Sequence, residues 1–349
     1  MRDGYAIARL IACYMLCFFF LCYFFWGSVN TIPKNKPTFT DIIQKTQENS
    51  LQKQEILSES EKTEPLVQQN TQSIPQETAS AQVSAEAIKG KIVTRYISPY
   101  TAPLSYDSVY LKNSTTLYID LKSLLNQKLK FKIEQNREPQ VLIMHTHTTE
   151  SFMQNDNDYY TEDDNPRSID DSKNMVKIGS IIAQKLNDSG IKTLHDKTKH
   201  DYPEYTGSYG RSAATVTSYL KKYPSIKIVI DLHRDSVSAD DGKAKLVTEI
   251  GGKKAAQVML VMGSQSGSVK DYPNWKENLS LAIKLQQKIE LKYATLARPI
   301  LLRSSKYNQN LTTGSLLLEV GTEANTMEEA TYSAELVAEA LTDLLKTIK

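Results

Sequence analysis

Three short apolar runs in this chain each lead into titratable residues, and that combination constrains the fold more than any other feature. VLIMHTHTTE runs into His145, His147 and Glu150; IKIVIDLHRD carries Asp231, His233 and Asp235; SLLLEVGTEAN carries Glu319. Short, nearly continuous apolar runs read as strands buried on both faces, the pattern of a parallel sheet with helices above and below it. In open α/β sheets, ligands bind beyond the carboxyl ends of the strands. Three strands would then deliver imidazoles and carboxylates to one sheet edge.

The intervening segments fit that frame. MVKIGSIIAQKLNDSG has helical periodicity, with Met175, Ile178, Ile181, Ile182 and Leu186 apolar and Gly190 at the C-cap. IKTL reads as a strand and RSAATVTSYLKKY as a helix. KAKLVTEIGGKKAAQVMLVMG reads as a hairpin turning at Gly251 and Gly252. WKENLSLAIKLQQKIELKY and MEEATYSAELVAEALTDLLKTI are long helices. The expected fold class is α/β, with a central, mostly parallel sheet flanked by helices on both faces.

Before this region the chain changes character. From Leu10 to Val29, LIACYMLCFFFLCYFFWGSV contains no charged residue. A helix of that length rises roughly 30 Å, enough to cross a bilayer's hydrocarbon core. A cleaved signal peptide is the rival reading, but no convincing small-x-small site follows, so a retained anchor is expected. Arg2 and Arg9 put the short N-terminus in the cytoplasm and the rest outside. Residues 30–84 are rich in Gln, Glu, Ser and Thr and show no sustained period, which describes a flexible tether. The expected plan is therefore a stub and anchor at 1–29, a disordered linker at 30–91, lead-in strands and a short helix at 92–138, and a catalytic domain at 139–349.

All three cysteines, Cys13, Cys17 and Cys22, fall inside the apolar span. The rest of the chain has neither a disulfide framework nor a thiolate metal site. The net charge of +2 is spread along the chain, which gives no case for nucleic-acid binding. Any metal outside the membrane must be held by His, Asp or Glu. Two imidazoles and one carboxylate form a familiar set for a catalytic zinc with an open fourth position. Singly, a strand-end histidine is more often a hydrogen-bonding residue. Glu319 is harder to dismiss, because an ionised carboxylate in an apolar run is costly without a partner.

Longer motifs add a resemblance. HTHTTES, GIKTLHDKTKHDYPEY with SYGRS, IDLHRD, and NQNL with LLLEVGTEANTMEEA resemble, in order and from about residue 139 to the end, the stage II sporulation protein P family. That family resembles zinc-dependent N-acetylmuramoyl-L-alanine amidases. The resemblance implies a membrane-anchored peptidoglycan hydrolase that cleaves the amide joining muramic acid to the stem peptide during engulfment of the forespore. An endopeptidase activity on peptide cross-links is also attributed to the family. It further implies a Zn2+ cofactor, peptidoglycan as substrate, and a partner in stage II sporulation protein D, a lytic transglycosylase. LLLEVGTEAN matches the motif of the catalytic glutamate, Glu319, and IDLHRD the strand ending in a zinc histidine, His233. VLIMHTH sets His147, rather than His145, over the first zinc histidine.

One departure stands. In the amidases a carboxylate ligand opens the first helix, which here falls near Asp171, and no glutamate occurs there. Either Asp171 serves, or Glu150 replaces it; the expectation is Glu150. Arg234 and His145 are assigned to substrate, with a salt bridge from Arg234 to Asp235 or Asp231 as its alternative. His195 and His200 either line the groove or order a long loop. Tyr202, Tyr205 and Tyr209 offer stacking surfaces to sugars or plain packing, and Trp275 caps the core. The competing functions are another zinc hydrolase of the wall, such as a carboxypeptidase or deacetylase, and a non-catalytic wall-binding module.

Overall fold

In the computed structural model, residues 87–134, 138–240 and 242–348 are described; the anticipated anchor at 10–29 and nearly all of the anticipated tether lie outside them. In chain order the strands are β1 (Ile88–Arg95), β2 (Leu104–Tyr106), β3 (Val109–Asn113), β4 (Val141–Met144), β5 (Tyr159–Thr161), β6 (Thr193–His195), β7 (Ile228–Asp235), β8 (Ser238–Ala239), β9 (Gly242–Ile250), β10 (Lys253–Ala256), β11 (Val258–Gly263), β12 (Ile300–Arg303) and β13 (Ser315–Thr322). The α-helices are α1 (Leu121–Asn126), α2 (Met175–Asp188), α3 (Ser208–Lys222), α4 (Trp275–Lys292) and α5 (Met327–Thr347). Among the described residues no helix is long and apolar enough to cross a membrane.

The larger sheet has eight strands in the order β2-β3-β12-β11-β13-β7-β4-β6. The pairs β6–β4, β4–β7, β7–β13, β11–β12 and β12–β3 are parallel, whereas β11–β13 and β2–β3 are antiparallel. The sheet is thus mixed but mainly parallel, as the apolar runs implied. Residues 104–113, read as part of a lead-in, are integral edge strands of it. A second sheet was not foreseen: β10-β9-β1-β5 with β8 on β9. β1 is mostly exposed, and β5, β8 and β10 are only two to four residues long, so their sequence carries little of the signal that marks a doubly covered strand. The expected hairpin is present as β9–β10, turning through Gly251 and Gly252, both at positive φ.

Strand alternation sorts the core. Val141, Ile143, Ile228, Ile230, Leu316, Leu318, Leu260 and Ile300 face one side, where they pack with the apolar stripes of α2, α4 and α5. Leu142, Met144 and Val229 face the other side and pack with Val216 and Tyr219 of α3. Helices therefore cover both faces, but α3 covers only the β4–β7 end of its face. Beyond it the same sheet face, carried by β13, β11 and β12, floors a cleft. This asymmetry creates the site.

Candidate active site

The cleft has a volume of about 460 Å³. His147, Glu150, His233 and Glu319 all line it, together with Arg167, Arg234, Tyr205, Tyr209 and Tyr307. His233 and Glu319 come from neighbouring parallel strands and are register partners, so period-two alternation points both away from the main core. His147 and Glu150 come from the turn that follows β4. That turn is held by Asp231, whose Oδ1 accepts from the Thr146 backbone N–H at 2.8 Å and whose Oδ2 accepts from its hydroxyl at 2.7 Å.

The His147 and His233 rings meet edge to face with centroids 5.2 Å apart. His233 Nδ1 lies 3.5 Å from Glu150 Oε2. Its Nε2 lies 3.0 Å from Asp231 Oδ1, but outside hydrogen-bond geometry, so this buried nitrogen has no hydrogen-bond partner. Burial opposes a charge on His233, yet the Asp231 and Glu150 carboxylates together push its pKa well above the ordinary value. Burial likewise opposes ionised Glu150, and His233, Arg234 and His147 more than offset it, leaving Glu150 below its usual range. Glu319 is the opposite case. Burial pushes it up to about 8, with Glu150 and Asp235 adding to the rise and His233 and Arg298 working against it. Its Oε2 is buried without a hydrogen-bond partner.

His147 is engaged on both nitrogens. Nε2 lies 3.2 Å from the Tyr205 hydroxyl and Nδ1 lies 3.4 Å from Ser208 Oγ. The Tyr205 ring also stacks on the imidazole at 4.6 Å and 16°, and the Arg167 guanidinium lies over the same tyrosine, 4.6 Å from its centroid. As the side chains stand, no three His, Asp or Glu among the described residues converge to close round a metal ion. The donor set nonetheless fits zinc: two imidazoles and a carboxylate open on one cleft, beside a buried Glu319 oxygen without a hydrogen-bond partner. A metal would have to take His147 from its tyrosine or serine contact.

Of the alternatives for the carboxylate, Glu150 adjoins His233. Asp171 lies outside the cleft lining and pairs with Lys199 at 2.8 Å.

The expected substrate contact at His145 is corrected. His145 is fully buried, its Nδ1 3.1 Å from the Leu232 carbonyl and its Nε2 2.8 Å from His195 Nε2. Burial, and then the neighbouring imidazole, lower its pKa to about 3, so it stays neutral and structural. Alternation explains this, since His145 continues the inward-facing positions of β4. His200 joins it by donating from Nδ1 to the His145 carbonyl at 2.7 Å, which gives that histidine the loop-ordering role.

Arg234 lines the cleft but makes neither anticipated salt bridge. Its guanidinium donates to the carbonyls of Ser151 at 3.1 Å and Pro166 at 2.7 Å, with a longer 3.4 Å bond to that of Asp235. It braces the wall of the cleft. Trp275 is buried in the main core at the start of α4.

Sequence reading missed Arg167, Asp201 and Arg303. Asp201 accepts from the backbone and hydroxyl of Thr149 and pairs with Arg167 at 2.5 Å, tying the loop that carries Tyr205 to the turn that carries His147. These residues sit in aperiodic loops or at a strand end, where no spacing singles them out.

Comparisons with known proteins bear on this chain. The family described as Stage II sporulation protein P matches residues 25–342. Stage II sporulation protein P of Bacillus subtilis (strain 168) is 31% identical over 216 residues, covering 58% of this chain and 50% of that protein. The chain thus spans about half the length of that curated relative. Among solved structures, the apo N-acetylmuramyl-L-alanine amidase Ami1 from Mycobacterium abscessus aligns over 60% of this chain and 99% of its own, with a TM-score of 0.36 and 11% identity. The N-acetylmuramoyl-L-alanine amidase from Clostridium difficile 630 aligns over 61% and 97%, with a TM-score of 0.35 and 15% identity. Likenesses at this level say nothing of activity.

Proposed function

The chain belongs to the stage II sporulation protein P family, and from that premise we propose that it is a zinc-dependent peptidoglycan amidase. The bond cleaved is the amide between muramic acid and the stem peptide. The observation that carries this reading is the register pairing of Glu319 with His233 in one cleft with His147 and Glu150.

In this proposal His147, Glu150 and His233 hold the zinc. A zinc ion so bound lowers the pKa of a water to about 7 and polarises a carbonyl. Glu319 is the general base: it takes a proton from the attacking water and delivers it to the leaving nitrogen. Without metal, burial holds Glu319 at about 8 and so mostly protonated at neutral pH. A bound cation would lower that value and free the carboxylate to accept the water's proton, while its low-dielectric surroundings keep it basic enough to hold that proton until delivery. Asp231 Oδ1, 3.0 Å from His233 Nε2, supplies the carboxylate that would orient this ring once a metal is bound, as carboxylates beside ligand histidines do. Tyr205 and Tyr209 wall the cleft beside His147 and offer flat surfaces to a sugar ring.

We further propose that the domain works outside the cytoplasm, held by a single-pass anchor at residues 10–29, on the wall between mother cell and forespore. A stage II sporulation protein D-like transglycosylase would act on the glycan strands of the same wall.

Mass spectrometry of the products from purified sacculi tests the reading. The expected products are stem peptides with a free N-terminal amine and glycan strands stripped of peptide. Cuts within the stem alone, loss of acetyl groups alone, or binding without products would each replace the amidase with another function.

A further inference from the structure

The cleft extends past the four candidate catalytic residues along an apolar sheet face and reaches a cation. Leu317, Val261 and Leu301 lie side by side on β13, β11 and β12 as register partners and form the floor. Arg303 stands two residues beyond Leu301 at the far end. The other two arginines of the cleft are committed, Arg167 to Asp201 and Arg234 to three backbone carbonyls. The Arg303 guanidinium is exposed and has no hydrogen-bond or ion-pair partner among the described residues.

The neighbouring backbone is unusual. Tyr307 and Asn308 both adopt positive φ, at 50° and 56°. Such conformations cost a non-glycine residue on the order of 1 kcal/mol or more and persist only when surroundings enforce them. Asn308 supplies the enforcement by donating to the Tyr209 carbonyl at 2.9 Å and to Ser212 Oγ at 3.0 Å. The result is that Tyr307 lines the same cleft as Arg303.

We propose that Arg303 is a specificity residue that binds a carboxylate of the peptide half of the substrate, in a subsite floored by Leu317, Val261 and Leu301 and walled by Tyr307. The proposal rests on the amidase reading and names what the peptide must carry. Glu319 lies two residues past Leu317 along β13, and Arg303 two residues past Leu301 in the opposite direction, with one strand between them. Strand spacing and rise put their Cα atoms roughly 16 Å apart. An extended peptide covers about 3.3 Å per residue. Allowing for the arginine's own reach, a carboxylate on the second or third residue from the scissile amide meets the guanidinium. An apolar floor ending in one cation without a partner among the described residues suits such a chain better than an uncharged sugar, and the arginine fork matches a carboxylate in two hydrogen bonds.

The test uses N-acetylmuramoyl peptides with a free carboxylate on the second or third residue, and the same peptides with that group amidated. Cleavage by the zinc-loaded full chain and calorimetric binding to the metal-free chain are both measured, for the unmodified protein and for Arg303→Met. The unmodified protein is expected to favour the carboxylate roughly 10- to 100-fold, mostly in KM and binding, and Arg303→Met to lose that preference. Arg303→Lys should restore part of it. Efficient cleavage with no carboxylate preference, or a preference that survives Arg303→Met, overturns the subsite and leaves the amidase reading intact. Carboxylate-dependent, Arg303-dependent binding without any cleavage keeps the subsite and overturns the amidase reading.

Discussion

Glu319 on β13 and His233 on β7 face each other across one parallel strand pair, and both line the cleft that α3 leaves uncovered. One is a carboxylate that burial pushes up to about 8, the other an imidazole that carboxylates push upward. Adjacent strands thus carry, at one register, a group suited to hold a proton and a group suited to sit among carboxylates.

The half-buried Glu319, one of whose carboxylate oxygens is fully buried, has a consequence for stability of the metal-free protein. Its folded pKa of about 8 stands above the unfolded value of 4.5, so the folded state binds the proton more tightly. Its contribution is therefore most favourable below about pH 4.5 and is lost as the pH rises toward 8. Each pH unit in that window costs at most about 1.4 kcal/mol from this group. Glu319→Gln should be more stable than the unmodified protein, by a margin that widens between pH 5 and 8. Denaturant melts of chelator-treated protein across that range check this; a margin that narrows with rising pH would show that Glu319 is not held protonated.

Zinc affinity separates the candidate carboxylates. Glu150→Ala should lower it by well over the 10- to 100-fold typical of a lost supporting residue, and Asp231→Asn by about that 10- to 100-fold. Asp171→Ala should leave it nearly unchanged, since Asp171 pairs with Lys199 outside the cleft lining. Equilibrium dialysis against a zinc indicator measures all three. Loss at Asp171 with retention at Glu150 would transfer the ligand role.

Much of this was legible beforehand because apolar runs and their terminal residues obey a simple alternation. Doubly covered strands announce themselves, so β4, β7 and β13 and the four residues His147, Glu150, His233 and Glu319 could be read from spacing and motif. His145 was misread because strand continuation was not carried one residue past β4, where it turns the ring inward against His195. The second sheet escaped because its strands are half-exposed and paired over long sequence distances, β1 with β9 and β5. Arg167 and Asp201 escaped because their meeting depends on how loops fold over the sheet, which no local period encodes.

The His145–His195 contact depends on a close approach of helix α2. A Cβ at Gly179 would lie 2.5 Å from His195 Nε2 and 2.9 Å from His145 Cε1. Gly179→Ala should therefore destabilise the fold by about 1–3 kcal/mol, as overpacking of a core does, despite the better helix propensity of alanine. A thermal melt is sufficient. Unchanged or raised stability would mean that the two imidazoles are free to move apart.

The measurement closest to the central claim is zinc content and turnover on muropeptides, taken on one preparation of Glu319→Gln. Glutamine keeps the shape of the side chain and removes its basicity. The expected result is a full complement of zinc, unchanged wall binding, and turnover reduced by roughly 10²- to 10⁴-fold, the usual contribution of a positioned acid–base group. Undiminished turnover would contradict the assignment of Glu319 as the base, and loss of zinc would make it a ligand instead.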